Sequence, residues 1–249
     1  MVGSLFAGIG GLDLGLERAG MQVRWQVEND PYCIRVLEKH WPQVKRYEDV
    51  RDVKWSEVEP VDLICGGFPC QPVSVAGARK GDKDERWLWP EFLRAIREVR
   101  PKYALVENVP GLLSIDDGRL ARGVFGDLAE IGYDAEWNII SGQNVGANHR
   151  RERVFIVAYT QSLSGHGLQI GKRRQMFETR MGWRNPGGPT DNEAFSQEYE
   201  PAWVVYESKL GGVANGVPSR MDRLKGLGNA VIPQVSEYIG RLIIETEED

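Results

Sequence analysis

The sequence predicts an α/β protein built on a doubly wound, mostly parallel β-sheet, with a small irregular lobe near its C-terminal end. Two observations lead to this prediction. Short runs of β-branched and aromatic residues alternate with helical stretches through the first two thirds of the chain, which is typical of parallel sheets covered by helices on both faces. A stretch rich in Gly, Ser, Asn, Pro and Arg then ends this alternation, as expected of irregular structure.

The individual elements follow from local patterns. Strands are predicted at 2–6, 23–27, 45–47, 61–65, 103–106 and 154–158. Helices are predicted at 12–19, 31–41, 87–99, 119–131 and 231–244. Asp30 and Pro31 support the start of the second helix, because aspartate caps a helix N-terminus and proline suits the first turn.

The same patterns predict how the chain is divided. Residues 1–159 form the α/β domain, 160–218 the irregular lobe, and 219–249 a segment that returns to the α/β domain. Trp183 and Trp203 lie in the irregular stretch. Large aromatic side chains need packing partners, so this stretch is interpreted as a small lobe rather than a linker.

Composition excludes several classes of protein. The chain has 249 residues, 41% of them hydrophobic and 27% charged, which is ordinary for a globular protein. No apolar run is long enough for a membrane span, and no membrane partner is expected. The cysteines show no paired spacing, which indicates reduced thiols and a cytosolic protein: Cys33, Cys65 and Cys70. The histidines lack zinc-site spacing, so no metal is predicted: His40, His149 and His166.

Charge is unevenly distributed along the chain. The formal net charge is −5, yet residues 145–184 contain eight Lys or Arg residues and only two acids. A local basic face on an acidic body suits a polyanion that docks on one side. A solvated loop with incidental arginines explains the same pattern equally well.

The first predicted strand runs into a glycine-rich loop, F-A-G-I-G-G-L at 6–12. Such loops turn sharply into a helix and let a ligand approach the backbone, at the sheet edge where nucleotide-like ligands bind. Glu28 lies about 20 residues on, where a ribose-binding carboxylate is expected, and Asp49 could reach an adenine amine. The alternative is a plain tight turn.

Three further groups lie at the ends of predicted strands. Cys70 lies between Pro69 and Pro72, either as a nucleophile held out on a stiff loop or as a buried filler at a turn. Glu107 directly follows the predicted 103–106 strand. It is either an acid that stays protonated or an exposed loop residue. Arg151 and Arg153 alternate along a predicted extended segment and so point to one side. They could hold a phosphate or a base edge, or form a salt bridge with Glu152.

Taken together, these segments resemble DNA cytosine-5 methyltransferases that depend on S-adenosylmethionine, of the bacterial or phage type. FAGIGGLDLGL is similar to the family's cofactor loop, GGFPCQPVS to its nucleophile loop, ENV to its acid motif, RRERVF to its arginine motif and GNAVIPQV to its closing motif. They occur in the family's order across nearly the whole chain. The resemblance implies a class I, Rossmann-like methyltransferase fold and makes residues 160–218 a short target-recognition lobe.

The resemblance also implies roles for residues. The Cys70 thiolate would attack C6 of a cytosine flipped out of duplex DNA, Glu107 would protonate or hydrogen-bond N3, and Arg151 and Arg153 would hold the base and its phosphate. The implied cofactor-binding residues are Phe6, Gly8, Gly10, Gly11, Glu28, Asn29, Asp49, Asn229 and Val231. The implied partner is double-stranded DNA, with a monomeric enzyme in a bacterial cytosol or phage-infected cell. The enzyme would either share its site with a restriction endonuclease or be a solitary or phage-borne methylase.

Some positions depart from the family pattern, and other readings stay open. His149 stands where the family often has Gln, Trp87 where Gly is common, and the lobe is short for target recognition. The alternatives are a tRNA cytosine-5 methylase and a catalytically silent DNA-binding relative. A folate-dependent enzyme of the thymidylate-synthase kind also attacks C6, but it has no use for the glycine loop and Glu28.

Overall fold

The structure is a computed structural model that describes residues 1–69, 87–147, 150–166, 226 and 228–248. Its strands are β1 Val2–Leu5, β2 Val23–Val27, β3 Lys45–Tyr47, β4 Leu63–Gly66, β5 Tyr103–Asn108, β6 Tyr133–Ile140 and β7 Arg153–Thr160. Its α-helices are α1 Gly11–Arg18, α2 Pro31–His40, α3 Trp89–Val99, α4 Arg119–Glu130 and α5 Pro233–Glu248.

The strands of the described chain form one sheet in the order β3-β2-β1-β4-β5-β7-β6. Strands β1 to β5 are parallel to one another. Strand β7 pairs antiparallel with both β5 and β6. The prediction of a mostly parallel sheet is therefore confirmed, although the 154–158 segment runs against the parallel strands.

Helices cover both faces of the sheet, as a doubly wound fold requires. On one face Phe92 and Ile96 of α3 and Leu128 of α4 are completely buried against the strands. On the other face Leu16 of α1 and Ile239 of α5 are completely buried. The two helices α1 and α5 also pack closely, so the last helix joins the N-terminal part of the sheet.

Strand β6 was not predicted from the sequence. Its first seven residues, YDAEWNI, alternate between apolar and polar types, and the strand lies at the edge of the sheet. Trp137 is 50% exposed and Ile139 is 38% exposed. An edge strand that is exposed on one side has polar residues at every second position, so it forms no continuous apolar run. The alternation of apolar and polar residues is then the signal that indicates a strand.

The predicted lobe at 160–218 falls almost entirely outside the described residues. Only 160–166 can be placed, as the end of β7 and a 3-10 segment at Gln161–His166. None of the helices in the described part of the chain is long and apolar enough to cross a lipid bilayer.

Candidate functional site

Functional groups predicted from the sequence converge at one edge of the sheet. The carboxyl ends of β1, β2, β4 and β5 meet there because these strands are parallel. Strand β7 is antiparallel to β5, so its amino end reaches the same edge, with Val154 opposite Asn108 and Phe155 opposite Glu107. The reversed direction of β7 therefore brings Arg153 beside Glu107.

The glycine loop after β1 has the sharp turn that its sequence predicts. Phe6 and Gly10 both adopt left-handed backbone conformations, with φ of 52° and 84°. The Gly10 amide donates to the Ala7 carbonyl over 2.9 Å, which closes the turn. Helix α1 then begins at Gly11.

Glu28 is tied directly to this loop. Its Oε2 accepts a hydrogen bond from the Gly8 amide at 2.6 Å, and its Oε1 accepts one from the Asp30 amide at 2.8 Å. A carboxylate has about four acceptor positions, so Glu28 keeps capacity for two hydroxyl groups. The arrangement fits a ribose beside the glycine loop.

The other predicted residues of this region differ in how accessible they are. Asn29 is exposed next to Glu28. Asp49 follows β3, but its carboxylate accepts hydrogen bonds from the backbone and the guanidinium of Arg51, at 2.6 to 3.2 Å. The Arg51 contacts also lower the pKa of Asp49. Asp49 would have to share or exchange these partners to bind an adenine amine.

The closing segment contacts the glycine loop through backbone atoms. A Cβ on Gly11 would lie 2.4 Å from the carbonyl oxygen of Val231, so only glycine allows this approach. The Ser236 hydroxyl donates to the Gly11 carbonyl at 3.2 Å. Asn229 is exposed in the same segment. The structure thus brings the two ends of the chain together, and the glycine cradle with Glu28 fits a nucleoside cofactor such as S-adenosylmethionine.

Glu107 is buried at the end of β5. The residue is 9% exposed, and Arg153 Nε lies 3.0 Å from Oε1. Burial raises the pKa of Glu107, while the positive charges of Arg153 and Arg151 oppose this rise. The pKa remains above its usual value, so this carboxyl is biased toward the protonated form that a general acid needs.

The loop after β4 packs against this acid. A Cβ on Gly67 would lie 2.5 Å from Glu107 Oε2. The buried Asn108 side chain donates to the Phe68 carbonyl at 3.2 Å, and the Phe68 ring packs edge-on against Trp87. These contacts fix the chain up to Pro69, directly before Cys70. Cys70 and His149 themselves lie outside the described residues.

The segment that carries the two arginines is not extended throughout, as the predicted alternation requires. Arg151 precedes β7 and has a φ of 25°, so the segment is not extended at that residue. Its Nη1 donates to the Gly228 carbonyl at 2.8 Å and its Nη2 to the Ala230 carbonyl at 2.6 Å. Arg151 therefore braces the closing segment, whereas Arg153 contacts the acid.

Sequence reasoning missed three contributors to this site. Asn108 stands in the ENV motif, but its contact with the Phe68 carbonyl depends on two strands being adjacent. Gly67 preceded the cysteine without an assigned role. Asp13 lies directly after the glycine loop and is fully buried. An acid at an apolar position of a predicted helix was the available signal. Among the described residues, no cluster of His, Cys, Asp or Glu is placed to hold a metal.

Comparison with known proteins identifies the family. The model of the C-5 cytosine-specific DNA methylase family matches residues 1–211. The chain belongs to this family. It is 35% identical over 162 residues to Type II methyltransferase M.FnuDI of Fusobacterium nucleatum, a match that covers 65% of this chain and 47% of that protein.

Two other family matches extend the comparison. Type II methyltransferase M.AquIA of Picosynechococcus is 31% identical over 223 residues, covering 82% of this chain and 86% of that one. An E. coli crystal structure, described as a DNA modification methyltransferase encoded within a prophage, matches with a TM-score of 0.56 and 30% identity, covering 66% of this chain and 47% of that one. The chain spans about half the length of M.FnuDI and of the E. coli protein, and most of the length of M.AquIA.

Proposed function

We propose that the protein transfers a methyl group from S-adenosylmethionine to C5 of a cytosine in duplex DNA. The observation that supports this most directly is the contact between the loop before Cys70 and the buried Glu107. Attack on a pyrimidine ring requires a thiol and an acid close together, and the loop that leads to Cys70 in the sequence lies against Glu107 at Gly67. Membership of the C-5 cytosine-specific DNA methylase family supports the same reaction.

Cys70 and Glu107 have different roles in the proposed reaction. The Cys70 thiolate adds to C6 and forms a sulfur–carbon bond, while Glu107 donates a proton or hydrogen bond to N3 and stabilises the charge that enters the ring. S-adenosylmethionine supplies an electrophilic methyl group when it is bound. Once C5 carries the methyl group, a base removes the C5 proton, and the electron pair of that C–H bond re-forms the C5–C6 double bond as the thiolate leaves.

The other predicted residues support binding. We propose that Phe6, the glycines of the loop and Glu28 hold the cofactor, with Asn29, Asp49, Asn229 and Val231 around its nucleoside. Arg153 keeps the Glu107 carboxyl in place, and its contact at 3.0 Å supports this role. Because C6 is not accessible inside a duplex, the target base must be flipped out.

The lobe at 160–218 is proposed to recognise the target sequence, and its basic neighbourhood supports an interaction with phosphates. The names of the relatives, which describe Type II methyltransferases, support a restriction endonuclease that acts on the same site. The monomeric state and the cytoplasmic location stay predictions.

The test uses cells that express the 249-residue chain. Bisulfite sequencing of their DNA is expected to show 5-methylcytosine in one sequence context, and Cys70→Ala is expected to abolish it. Cys33→Ala is the matched control, because Cys33 is buried in α2 and has no part in the proposed chemistry. Undiminished methylation by Cys70→Ala would refute the covalent mechanism.

A second measurement separates DNA from RNA. Duplex DNA with 5-fluorocytosine at the methylated position should form a covalent adduct with the protein and cofactor, since fluorine cannot leave as a proton does. Adducts with fluorinated tRNA, and none with DNA, would show that the substrate is RNA.

A further inference from the structure

Asp13 is a buried acid for which the proposed reaction has no role. It lies in the first turn of α1, faces the sheet and is completely buried. Its Oδ2 accepts a hydrogen bond from the Ser4 hydroxyl at 2.9 Å, and its Oδ1 accepts one from Gln26 Nε2 at 2.9 Å. Both partners are also completely buried. Burial of a carboxyl is costly, so its presence calls for an explanation.

The hydrogen bonds fix the direction of this network. Arg46 donates to Gln26 Oε1 at 3.0 Å, so the amide nitrogen of Gln26 must face Asp13. An ionised Asp13 accepts from both of its partners. A protonated Asp13 can give its proton only to the Ser4 hydroxyl, because Gln26 presents its amide nitrogen, which cannot accept. Protonation therefore reverses the direction of the Ser4 contact.

The network lies directly beneath the cofactor loop. Ser4 precedes the loop by two residues, and Asp13 follows Gly11 by two residues. Their hydrogen bond therefore closes the base of the loop. Gln26 precedes Glu28 by two residues on β2, and Glu28 accepts from the Gly8 amide above. Asp13 thus sets the spacing between the loop and the strand that carries Glu28.

We propose that Asp13 is a positioning residue of the cofactor site, which acts through Ser4 and Gln26 to hold the glycine loop against Glu28, and that its ionised form favours cofactor binding. This inference rests on the proposed use of S-adenosylmethionine. It assigns Asp13 no contact with the cofactor or with the reacting atoms.

The surroundings of Asp13 set the pH range in which its carboxyl takes up a proton. Burial raises the pKa of Asp13 to about 6, opposed by the hydrogen bonds from Gln26 and Ser4. Glu17 on α1 and Cys65 on β4 interact with Asp13 electrostatically, and Arg46 on β3 is linked to it through Gln26. Helix α5, which packs on α1, carries Glu237 with its partner Arg241. Cofactor affinity is expected to fall as pH decreases through about 6, because Asp13 then takes up a proton.

Stability is expected to change in the opposite direction. The folded-state pKa of Asp13 is higher than the ordinary value of 3.8, so the folded protein binds this proton more tightly than the unfolded chain. This group therefore favours folding below about pH 4, and the contribution is lost as pH rises through about 6. Asp13→Asn removes a buried charge and should not lower the melting temperature at pH 8.

The experiment measures binding of S-adenosylhomocysteine to the full chain by calorimetry from pH 5 to pH 8.5. At pH 8 we expect Asp13→Asn to weaken binding about tenfold, as for other supporting residues of binding sites. The affinity of the wild type should fall below about pH 6, whereas that of Asp13→Asn should stay level. Arg46→Met should move the midpoint of the wild-type profile to higher pH, because it removes the cation behind Gln26.

Two further variants complete the design. Glu17→Gln removes a carboxylate from the same helix without touching the network, so its affinity at pH 8 should equal that of the wild type. Ser4→Ala removes one donor to the carboxylate and should weaken binding and raise the midpoint, which tests the inference even if Asp13→Asn does not fold.

The outcomes distinguish this inference from the proposed function. A wild type that does not bind S-adenosylhomocysteine refutes the proposed cofactor and the inference together. Normal binding with an unchanged affinity in Asp13→Asn and Ser4→Ala refutes only the inference. A pH midpoint that Arg46→Met leaves in place shows that another group titrates, and it also refutes the inference.

Discussion

Gly67→Ala should separate catalysis from folding in this protein. The Cβ of an alanine at this position would lie 2.5 Å from Glu107 Oε2, whereas ordinary contacts begin at 3.4 Å. The carboxyl must therefore move by about 0.9 Å to a normal contact distance. Because Oε2 is the end of a side chain rather than backbone, it can give way at little cost to folding.

The rate of methyl transfer should be affected much more strongly than folding stability. Arg153 holds the other carboxylate oxygen at 3.0 Å, so a shift of Oε2 rotates the acid away from its supported position. A misplacement of about 1 Å at a reacting group costs on the order of 100-fold in rate. We expect the rate of methyl transfer to fall about 100-fold, with S-adenosylhomocysteine affinity and melting temperature close to those of the wild type.

The assay is single-turnover transfer of a tritiated methyl group to DNA that carries the methylated sequence, at saturating cofactor. Gly126→Ala is the matched control, since its new Cβ on α4 would have no atom within 4 Å. That control should keep its rate. A Gly67→Ala rate within threefold of the wild type would refute the idea that this glycine positions the acid.

Two other predictions concern the same edge of the sheet. Glu107→Gln should lower the methyl-transfer rate by about 100-fold or more without changing cofactor affinity, measured in the same assay. The wild-type rate should fall as pH rises through the raised pKa of Glu107, because the acid form is lost, and Glu107→Gln should lack that step. Arg151→Met should weaken S-adenosylhomocysteine binding, because it removes the hydrogen bonds to the Gly228 and Ala230 carbonyls. If it weakens only DNA binding, Arg151 acts on phosphate as the family resemblance implies.

Local patterns predicted most of the fold. In the part of the chain that the structure describes, the five α-helices named above and β1 to β5 lie within a few residues of their predicted positions. These elements have buried faces, so their apolar residues recur with the period of a helix or follow one another in a strand. Strand β6 is the exception, because an exposed edge strand with Asp134, Glu136 and Asn138 among its residues gives only a weak apolar signal.

Candidate site residues were predictable where a motif stands on a loop after a strand. Glu28 and Glu107 lie at the sheet edge where their sequence positions suggested, and Glu28 contacts the glycine loop. The roles of the two arginines were harder to predict. The prediction assumed that residues 151–153 are extended, but the backbone turns at Arg151. The Arg151 side chain then forms hydrogen bonds with a segment almost 80 residues away.

By itself, the sequence determined the order of strands, helices and chemical groups along the chain, because helix caps, glycine turns and apolar periods are local properties. Only the tertiary structure decided which groups meet. The antiparallel direction of β7 puts Arg153 next to Glu107, and the close approach of two strand ends puts Gly67 against the same carboxyl. The burial of Asp13 between Ser4 and Gln26 is likewise a product of packing. Each contact joins residues on different strands, helices or loops, and no local pattern encodes the distance between them.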